Sequence, residues 1–390
     1  MELIEVNRPK LIQAFHQVPK GIYKKDKNYI PHIRQDIDKI FDPKKNKLFR
    51  QGGEAIRWIL KDEKGNLIGR VAAFVNPKTR NSSPDKMAVG GMGFFECIDD
   101  QKAANVLFEA CVHWLKERKI ELMEGPVNFG ERNEYWGLLI ENFDAPGNYQ
   151  MNYNPSYYRR LFESFGFQVY FNQIVYWRDM YDELSEKFQK AYDTIKDDPD
   201  YEIKNIRGMD LEQVAKDFQE VYNGAWATHV GFKELKLEVA RNIMRSLKPI
   251  IDRDIVIFTY YKKRPIAFYV NIPELNEFFK HVNGNMNWWG KLIFLFHRYF
   301  KKRKLMTGIV FGVVKEFHGK GIDAAMIKWA RLHLVTLNKY EETILTWIGD
   351  FNPKMMQVAI GLGGKEWRKL ATYRYLFDRN IPFERHPFIS

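Results

Sequence analysis

Apolar residues follow strand-like and helix-like spacings in turn along both halves of the chain. In the first half, the apolar segment GNLIGRVAAFVNP predicts a buried strand at 65–77, and apolar residues at helical spacing predict a helix over about 101–117. In the second half the same patterns predict helices over 211–226, 234–247 and 322–337, and strands at 254–261 and 264–270. Strands mixed with helices in this order indicate an α/β fold with a mixed central sheet flanked by helices.

Two segments share one pattern, NPSYYRRLFESFGF from Asn154 and NPKMMQVAIGLGGK from Asn352. Asparagine is a good helix N-cap, proline suits the first helical position, and the glycines Gly166 and Gly364 suit helix C-caps. An aromatic, strand-like run follows each glycine. The repeat predicts two tandem domains of like topology, at 1–195 and 196–390, joined near the charged segment KDDPD. Two unrelated α/β domains with similar helix caps are the alternative.

Composition narrows the class of protein. A chain of 390 residues exceeds what one hydrophobic core usually organises, which agrees with two domains. No apolar leader or run of about eighteen apolar residues stands out, so we expect a cytoplasmic protein. Cys97 and Cys111 form no CxxC pair, so we expect core residues and no metal site. A net charge of +12 favours anionic partners, although no nucleic-acid-binding signature is present, so we do not expect nucleic acid.

A glycine loop in the second half has the pattern of a phosphate site. The segment from Ile309, IVFGVVKEFHGKGIDAAMIKWARLHL, reads as a strand, a short loop and a helix. Glycines let the backbone approach a ligand, and the free N–H groups of a first helical turn favour an anion. A tight turn without a ligand would use the same glycines.

This segment resembles the coenzyme A motif of the GNAT acyltransferase superfamily, in which Arg or Gln is followed three residues later by Gly and five residues later by Gly or Ala. His318, Gly321 and Asp323 occupy the three positions, and only Gly321 matches strictly. The phrases GFFE, YNGAW and GKGIDAAMI further resemble a group of bacterial tandem GNAT-like proteins described as acyltransferases. The resemblance implies acetyl-coenzyme A or a longer acyl-coenzyme A as substrate, bound by Val313, Val314, His318, Gly319, Lys320, Gly321, Ile322, Asp323 and Asn352.

The first half departs from the motif. Its corresponding segment, ECIDDQK from Glu96, has no glycine and three carboxylates, which would repel a pyrophosphate. We therefore expect a degenerate first domain that packs on the second. Its loop GPVNFGERNEYWG, from Gly125, either lines the acceptor cleft or forms an exposed turn.

Acylation of an amine needs a base for the amine and an acid for the leaving thiolate. Asp350, at the end of the strand ILTWIGD, is the first candidate base, although a helix-flanking aspartate often only caps; Glu274 is the second. His229 and His318 can titrate near neutrality. The family's usual acid is a tyrosine in the helix after Asn352, where this chain has none. Tyr373 or Tyr375 on the next strand could replace it, or water could.

A long insertion separates the third and fourth predicted strands of the second half. It contains the apolar aromatic run from Trp288 to Phe300, followed by Lys301, Lys302, Arg303 and Lys304. Such a segment either lies in a membrane interface or packs its apolar residues against the first domain.

These features together predict an acyl-coenzyme A dependent N-acyltransferase with one working site in the second domain. The insertion favours a hydrophobic or lipid amine as acceptor, with peripheral contact to the inner face of the membrane. Two rivals remain open. One is a non-catalytic tandem module that binds an acylated or anionic ligand, and the other is an aminoacyl transferase of the peptidoglycan-precursor type.

Overall fold

The computed structural model describes residues 1–81, 83–227, 233–301 and 304–389. In the first half the strands are β1 (Glu2–Glu5), β2 (Glu54–Lys61), β3 (Leu67–Val75), β4 (Val89–Cys97), β5 (Leu122–Gly125), β6 (Leu138–Glu141) and β7 (Gln168–Asp179). The helices are α1 (Pro9–Ile22), α2 (Arg34–Ile40), α3 (Lys47–Arg50), α4 (Gln101–Lys116), α5 (Tyr158–Phe165) and α6 (Glu186–Ile195).

The second half repeats this arrangement. Its strands are β8 (Tyr201–Asn205), β9 (Val256–Tyr261), β10 (Arg264–Pro273), β11 (Leu305–Val313), β12 (Glu342–Gly349) and β13 (Lys365–Leu376). Its helices are α7 (Leu211–Trp226), α8 (Leu237–Leu247), α9 (Asn276–Phe279), α10 (Trp288–Phe300), α11 (Ile322–Leu337) and α12 (Pro353–Gly361). The predicted α/β class is confirmed, and α7 and α11 have the predicted bounds.

The two halves share one sheet, because their last strands are exchanged. Among the described residues, the strand order is β1-β2-β3-β4-β5-β13-β7-β12-β11-β10-β9-β8, with β6 beside β13. Thus β13, from the end of the chain, pairs with β5 of the first half, and β7 pairs with β12 of the second. The two exchanged strands also pair with each other, antiparallel. Neither half therefore completes its sheet without the other.

Helix α6 belongs by its contacts to the second half. Ile195 is buried in the core of that half, where Ala191 and Tyr192 also pack. The sequence-based boundary at 195/196 places this helix in the first domain. The structural exchange of α6, β7 and β13 shows that the two repeats are interleaved in space.

The two predicted helix caps have different outcomes. Asn352 caps α12, since its side chain accepts a hydrogen bond from the Met355 N–H at 3.2 Å. Asn154 does not cap α5; it is buried and bonds both backbone groups of Leu139 on β6. That prediction was wrong, because a local pattern does not reveal a tertiary contact with a strand. Gly166 does end α5, in the left-handed conformation.

A central parallel pair of strands diverges in each half. In the second half, β11 and β12 pair only over Leu305–Gly308 and Glu342–Leu345, and they separate beyond these residues. In the first half, β4 and β5 pair only over Val89–Gly91 and Leu122–Glu124. Parallel strands that separate open a gap in the sheet, and the two halves fill this gap differently.

Candidate functional site

The gap in the first half is closed by the chain that follows β5. The Val127 N–H donates to the Met92 carbonyl at 2.8 Å, so this segment continues beside β4. A Cβ on Gly93 would lie 2.0 Å from the Val127 carbonyl oxygen, so only glycine permits this approach. A cavity of about 50 Å³ remains beside it, enough for one or two water molecules. The start of the loop from Gly125 therefore fills the first half's own gap, whereas its tip, residues 131–133, is exposed, as the second alternative predicted.

The gap in the second half is open. Between β11 and β12 lies a cleft of about 460 Å³, within the usual size range of small-molecule sites. Its walls come from β7, β10, β11, β12, α7, α11 and α12 and are mostly apolar. The apolar lining includes Trp226, Ile309, Val310, Phe311, Ile327, Ala330, Leu345, Trp347, Ile348, Phe351, Met355, Val358, Ala359 and Leu362.

Polar groups line the cleft near the point where the strands still pair. They include Arg178, Tyr269, Arg331 and Thr343. Burial raises the pKa of the Tyr269 phenol, so the group stays protonated at neutral pH. The Nε atom of Arg178 is buried without a hydrogen-bond partner in the described structure, and the Thr343 hydroxyl lies beside the Tyr269 phenol. Because an unpaired buried polar atom is costly, the Arg178 Nε indicates a place where a ligand atom could bind.

The glycine loop joins the two elements that form one wall of the cleft, β11 and α11. Gly321 is the N-cap of α11, with a φ of 73°, and its helix start has no side-chain cap. The first N–H groups of a helix have no partner within the helix, so this start can receive an anion. A Cβ on Gly321 would lie 3.2 Å from the Ala191 Cβ of α6, whereas one on Gly319 would meet nothing within 4 Å.

The remaining predicted coenzyme residues surround this helix start. His318 is exposed, and its Nε2 lies 2.8 Å from the Val313 carbonyl oxygen. Lys320 is exposed, with its ammonium 4.6 Å from the centre of the Phe317 ring. Asp323 is also exposed, in the first turn of α11. The side chains of Val313 and Val314 pack in the core, and Ile322 is buried.

The corresponding helix start in the first half is already occupied by the chain's own carboxylate. Asp100 caps α4, and its side chain accepts a hydrogen bond from the Lys102 N–H at 2.8 Å. Asp99 pairs with Arg160, and Glu96 is buried beside Arg70. A pyrophosphate would have to displace these carboxylates. Of the two corresponding helix starts, those of α4 and α11, only that of α11 is open.

Asp350 and Asn352 lie where β12 ends and α12 begins. Asn352 lines the cleft, as do Gly349 and Phe351 on either side of Asp350. The Asp350 carboxylate accepts hydrogen bonds from Asn172 Nδ2 at 2.9 Å and from the Arg385 guanidinium at 2.6 Å. Its side chain keeps 23% of its surface exposed. The first candidate base is therefore held by two donors next to the cleft wall, although Asp350 itself is not among the described residues that line the cleft.

Glu274 links the two halves. Its carboxylate accepts hydrogen bonds from the Tyr149 N–H at 2.8 Å, the Asn276 N–H at 3.0 Å, Thr307 Oγ1 at 3.0 Å and Asn148 Nδ2 at 3.1 Å. Burial raises its pKa. These donors satisfy both oxygens, and Glu274 is not among the described residues that line the cleft.

The predicted acids lie away from the cleft. Tyr373 is fully buried in the core of the first half, because β13 crosses to that half, and its hydroxyl donates to Glu163 at 3.1 Å. Tyr375 packs in the same region. His229 lies outside the described residues. Tyr269 does line the cleft. The sequence did not single it out, because an aromatic residue inside a predicted strand is ordinarily interpreted as a core residue.

Comparison with known proteins finds distant relatives and structures of similar fold. No protein-family model matches the chain. The bacterial ceramide synthase of Caulobacter vibrioides is 25% identical over 382 residues, which cover 96% of this chain and 97% of that protein. Protein YghO of Escherichia coli is 23% identical over 380 residues, which cover 93% and 92% of the two chains.

Two solved structures share the fold. A tandem GNAT protein from the clavulanic acid biosynthesis pathway matches with a TM-score of 0.51 and 9% identity, over 96% of this chain and 98% of that one. A glucosamine N-acetyltransferase region of a fungal multi-domain β-N-acetylglucosaminidase matches with a TM-score of 0.53 and 13% identity. That match covers 96% of this chain and 38% of the longer protein. The chain therefore has a tandem GNAT-like fold, as its sequence predicted.

Proposed function

We propose that this chain transfers a long acyl group from acyl-coenzyme A to the amine of a hydrophobic acceptor. The observation that carries the proposal is the apolar cleft of about 460 Å³, open between β11 and β12. A methylene group occupies somewhat less than the roughly 30 Å³ of a water molecule, so this volume holds about 15 heavy atoms, shared between the pantetheine arm and the acyl chain. The mostly apolar lining favours an acyl group longer than acetyl.

The coenzyme would be held at one end of this cleft. The open start of α11 at Gly321 supplies N–H donors for the pyrophosphate, and Lys320 supplies a nearby positive charge. The free edge of β11 beyond Gly308 would pair with the pantetheine arm, since β12 no longer occupies it there. The thioester would then reach the polar groups around Tyr269.

The reaction needs no group from outside the protein and its substrates. The amine nitrogen attacks the thioester carbonyl, a C–N bond forms, the C–S bond breaks, and the products are an amide and free coenzyme A. One proton leaves the amine, and one is taken up by the sulfur. We assign the first transfer to Asp350, through water, and the second to Tyr269, which lines the cleft and is protonated at neutral pH.

A lipid amine is the acceptor that the chain's properties favour. A ceramide is the amide of a fatty acid and a long-chain amine, and the Caulobacter vibrioides relative is named as a ceramide synthase. This likeness supports a sphingoid-type amine, as does the apolar character of the cleft.

The experiment is a turnover assay with purified protein. Palmitoyl-coenzyme A and a sphingoid amine should yield the amide and one equivalent of free thiol, whereas a polar polyamine should yield neither. Tyr269→Phe should lower kcat with little change in KM, because it removes only the proton donor. Binding of acyl-coenzyme A without any amide product would instead support a non-catalytic module.

A further inference from the structure

Helix α10 presents its apolar residues to the solvent. A surface helix normally packs its apolar side and exposes its polar side. Here the buried positions are Gly290 and Phe294, while eight large apolar residues are at least 36% exposed. They are Trp288, Trp289, Leu292, Ile293, Leu295, Phe296, Tyr299 and Phe300.

The helix is firmly attached in this orientation. Phe294 packs on Phe279, with ring centres 5.2 Å apart, and a Cβ on Gly290 would lie 2.1 Å from the Asn285 carbonyl oxygen. Asn287 caps the first turn through the Gly290 N–H at 2.9 Å. The segment before α10 is in turn bound to the first half, where the Arg34 N–H donates to the Gly284 carbonyl at 2.9 Å. The outward direction of the apolar residues is thus fixed by packing.

The exposed apolar patch is large. Its five aromatic residues, which are 56% to 76% exposed, present on the order of 700 Å² between them. The largest apolar patch of an ordinary monomer covers about 300 to 600 Å² and is often functional. The alternative drawn from the sequence, in which the two tryptophans are buried against the first domain, is wrong, since each is 66% exposed.

Positive charge lies beside this patch. Lys291 is exposed on α10 itself, Lys301 is exposed directly after it, and Lys280 is exposed shortly before it. Lys302 and Arg303 follow in the sequence and lie outside the described residues. Aromatic residues together with lysines are the composition of a helix that lies in the headgroup region of an anionic bilayer.

We propose that α10 docks the protein on an anionic lipid surface, with the helix lying in the plane of the interface. None of the helices in the described part of the chain is long and apolar enough to span a bilayer, so the contact is peripheral. The charge complementarity selects lipid over a second copy of the chain, which would bring like charges together. The docking surface is formed by the exposed residues of α10, so docking does not depend on the proposed function.

The test is co-sedimentation of the full chain with vesicles of phosphatidylcholine, with and without 30% phosphatidylglycerol. The protein should bind the anionic vesicles more tightly, and salt should weaken the binding. Replacing Trp288, Trp289 and Phe300 together by Ser should weaken it about tenfold or more, because the inserted rings are lost. Lys291→Gln and Lys301→Gln should each weaken it about fivefold on anionic vesicles only.

The matched control replaces exposed apolar residues elsewhere, Phe388→Ser and Val239→Ser, and should leave vesicle binding unchanged. Circular dichroism melting should show the same Tm for all variants, since these side chains are exposed. Equal binding by wild type and the triple-serine variant would overturn the proposal. So would a wild type that ignores vesicles and instead forms a dimer that the triple-serine variant abolishes.

Discussion

In the proposed reaction, the wall of the cleft at Ala330 limits the length of the acyl chain. Ala330 is on α11, lines the cleft and is 1% exposed. Ala330→Phe adds six carbon atoms on this wall, which displaces four or five methylene groups of a long chain. Each buried methylene contributes about 0.8 kcal/mol, so a palmitoyl substrate should lose about 3 to 4 kcal/mol of transition-state stabilisation. That is a loss of roughly a few hundred-fold in kcat/KM.

The assay compares kcat/KM for palmitoyl-, octanoyl- and acetyl-coenzyme A with one amine acceptor. The palmitoyl to octanoyl ratio should fall sharply in Ala330→Phe, while the acetyl rate changes little and so reports an intact fold. Leu332→Phe is the control, since Leu332 is on the same helix and 39% exposed to solvent. An unchanged ratio in Ala330→Phe would refute the placement of the acyl chain in this cleft.

Three further outcomes follow from the structure. Asp323→Asn should tighten coenzyme A binding several-fold in calorimetry, because it removes an exposed carboxylate from the first turn of α11; unchanged affinity would place the pyrophosphate elsewhere. Asp350→Asn should lower kcat more at low pH than at high pH, because the amine is protonated at low pH and needs a base. The same fractional loss of kcat at every pH would exclude Asp350 as the base. Iodoacetamide should modify Cys97 and Cys111 only after unfolding, since burial raises the pKa of Cys97 to about 12 and raises that of Cys111 well above its usual value; rapid labelling of the native protein, read by mass spectrometry, would contradict this.

Local patterns were sufficient for several elements. Helix α11 has the predicted bounds, since its apolar spacing and its glycine start are both local properties. The cap at Asn352 is local in the same way. The carboxylates at the start of α4 are also visible in the sequence, and Asp100 caps that helix.

Tertiary contacts could not be predicted from local patterns. Strands β7 and β13 have similar aromatic patterns, so nothing local shows that each completes the sheet of the other half. Tyr373 was expected near the second site and is buried in the first half for this reason. The insertion was recognisably apolar and basic, but only the packing of Phe294 shows which side of α10 faces outward. The role proposed for Tyr269 depends on the divergence of β12 from β11, the strand that pairs with β10.

A crystal structure with a non-hydrolysable thioether analogue of palmitoyl-coenzyme A tests the proposed acyl transfer most directly. We expect one analogue per chain. Its pyrophosphate should lie at the start of α11 near Gly321, its pantetheine arm along β11 beyond Gly308, and its alkyl chain in the cleft beside Ala330. Density for the analogue in the first half, or an alkyl chain lying outside the gap between β11 and β12, would contradict it.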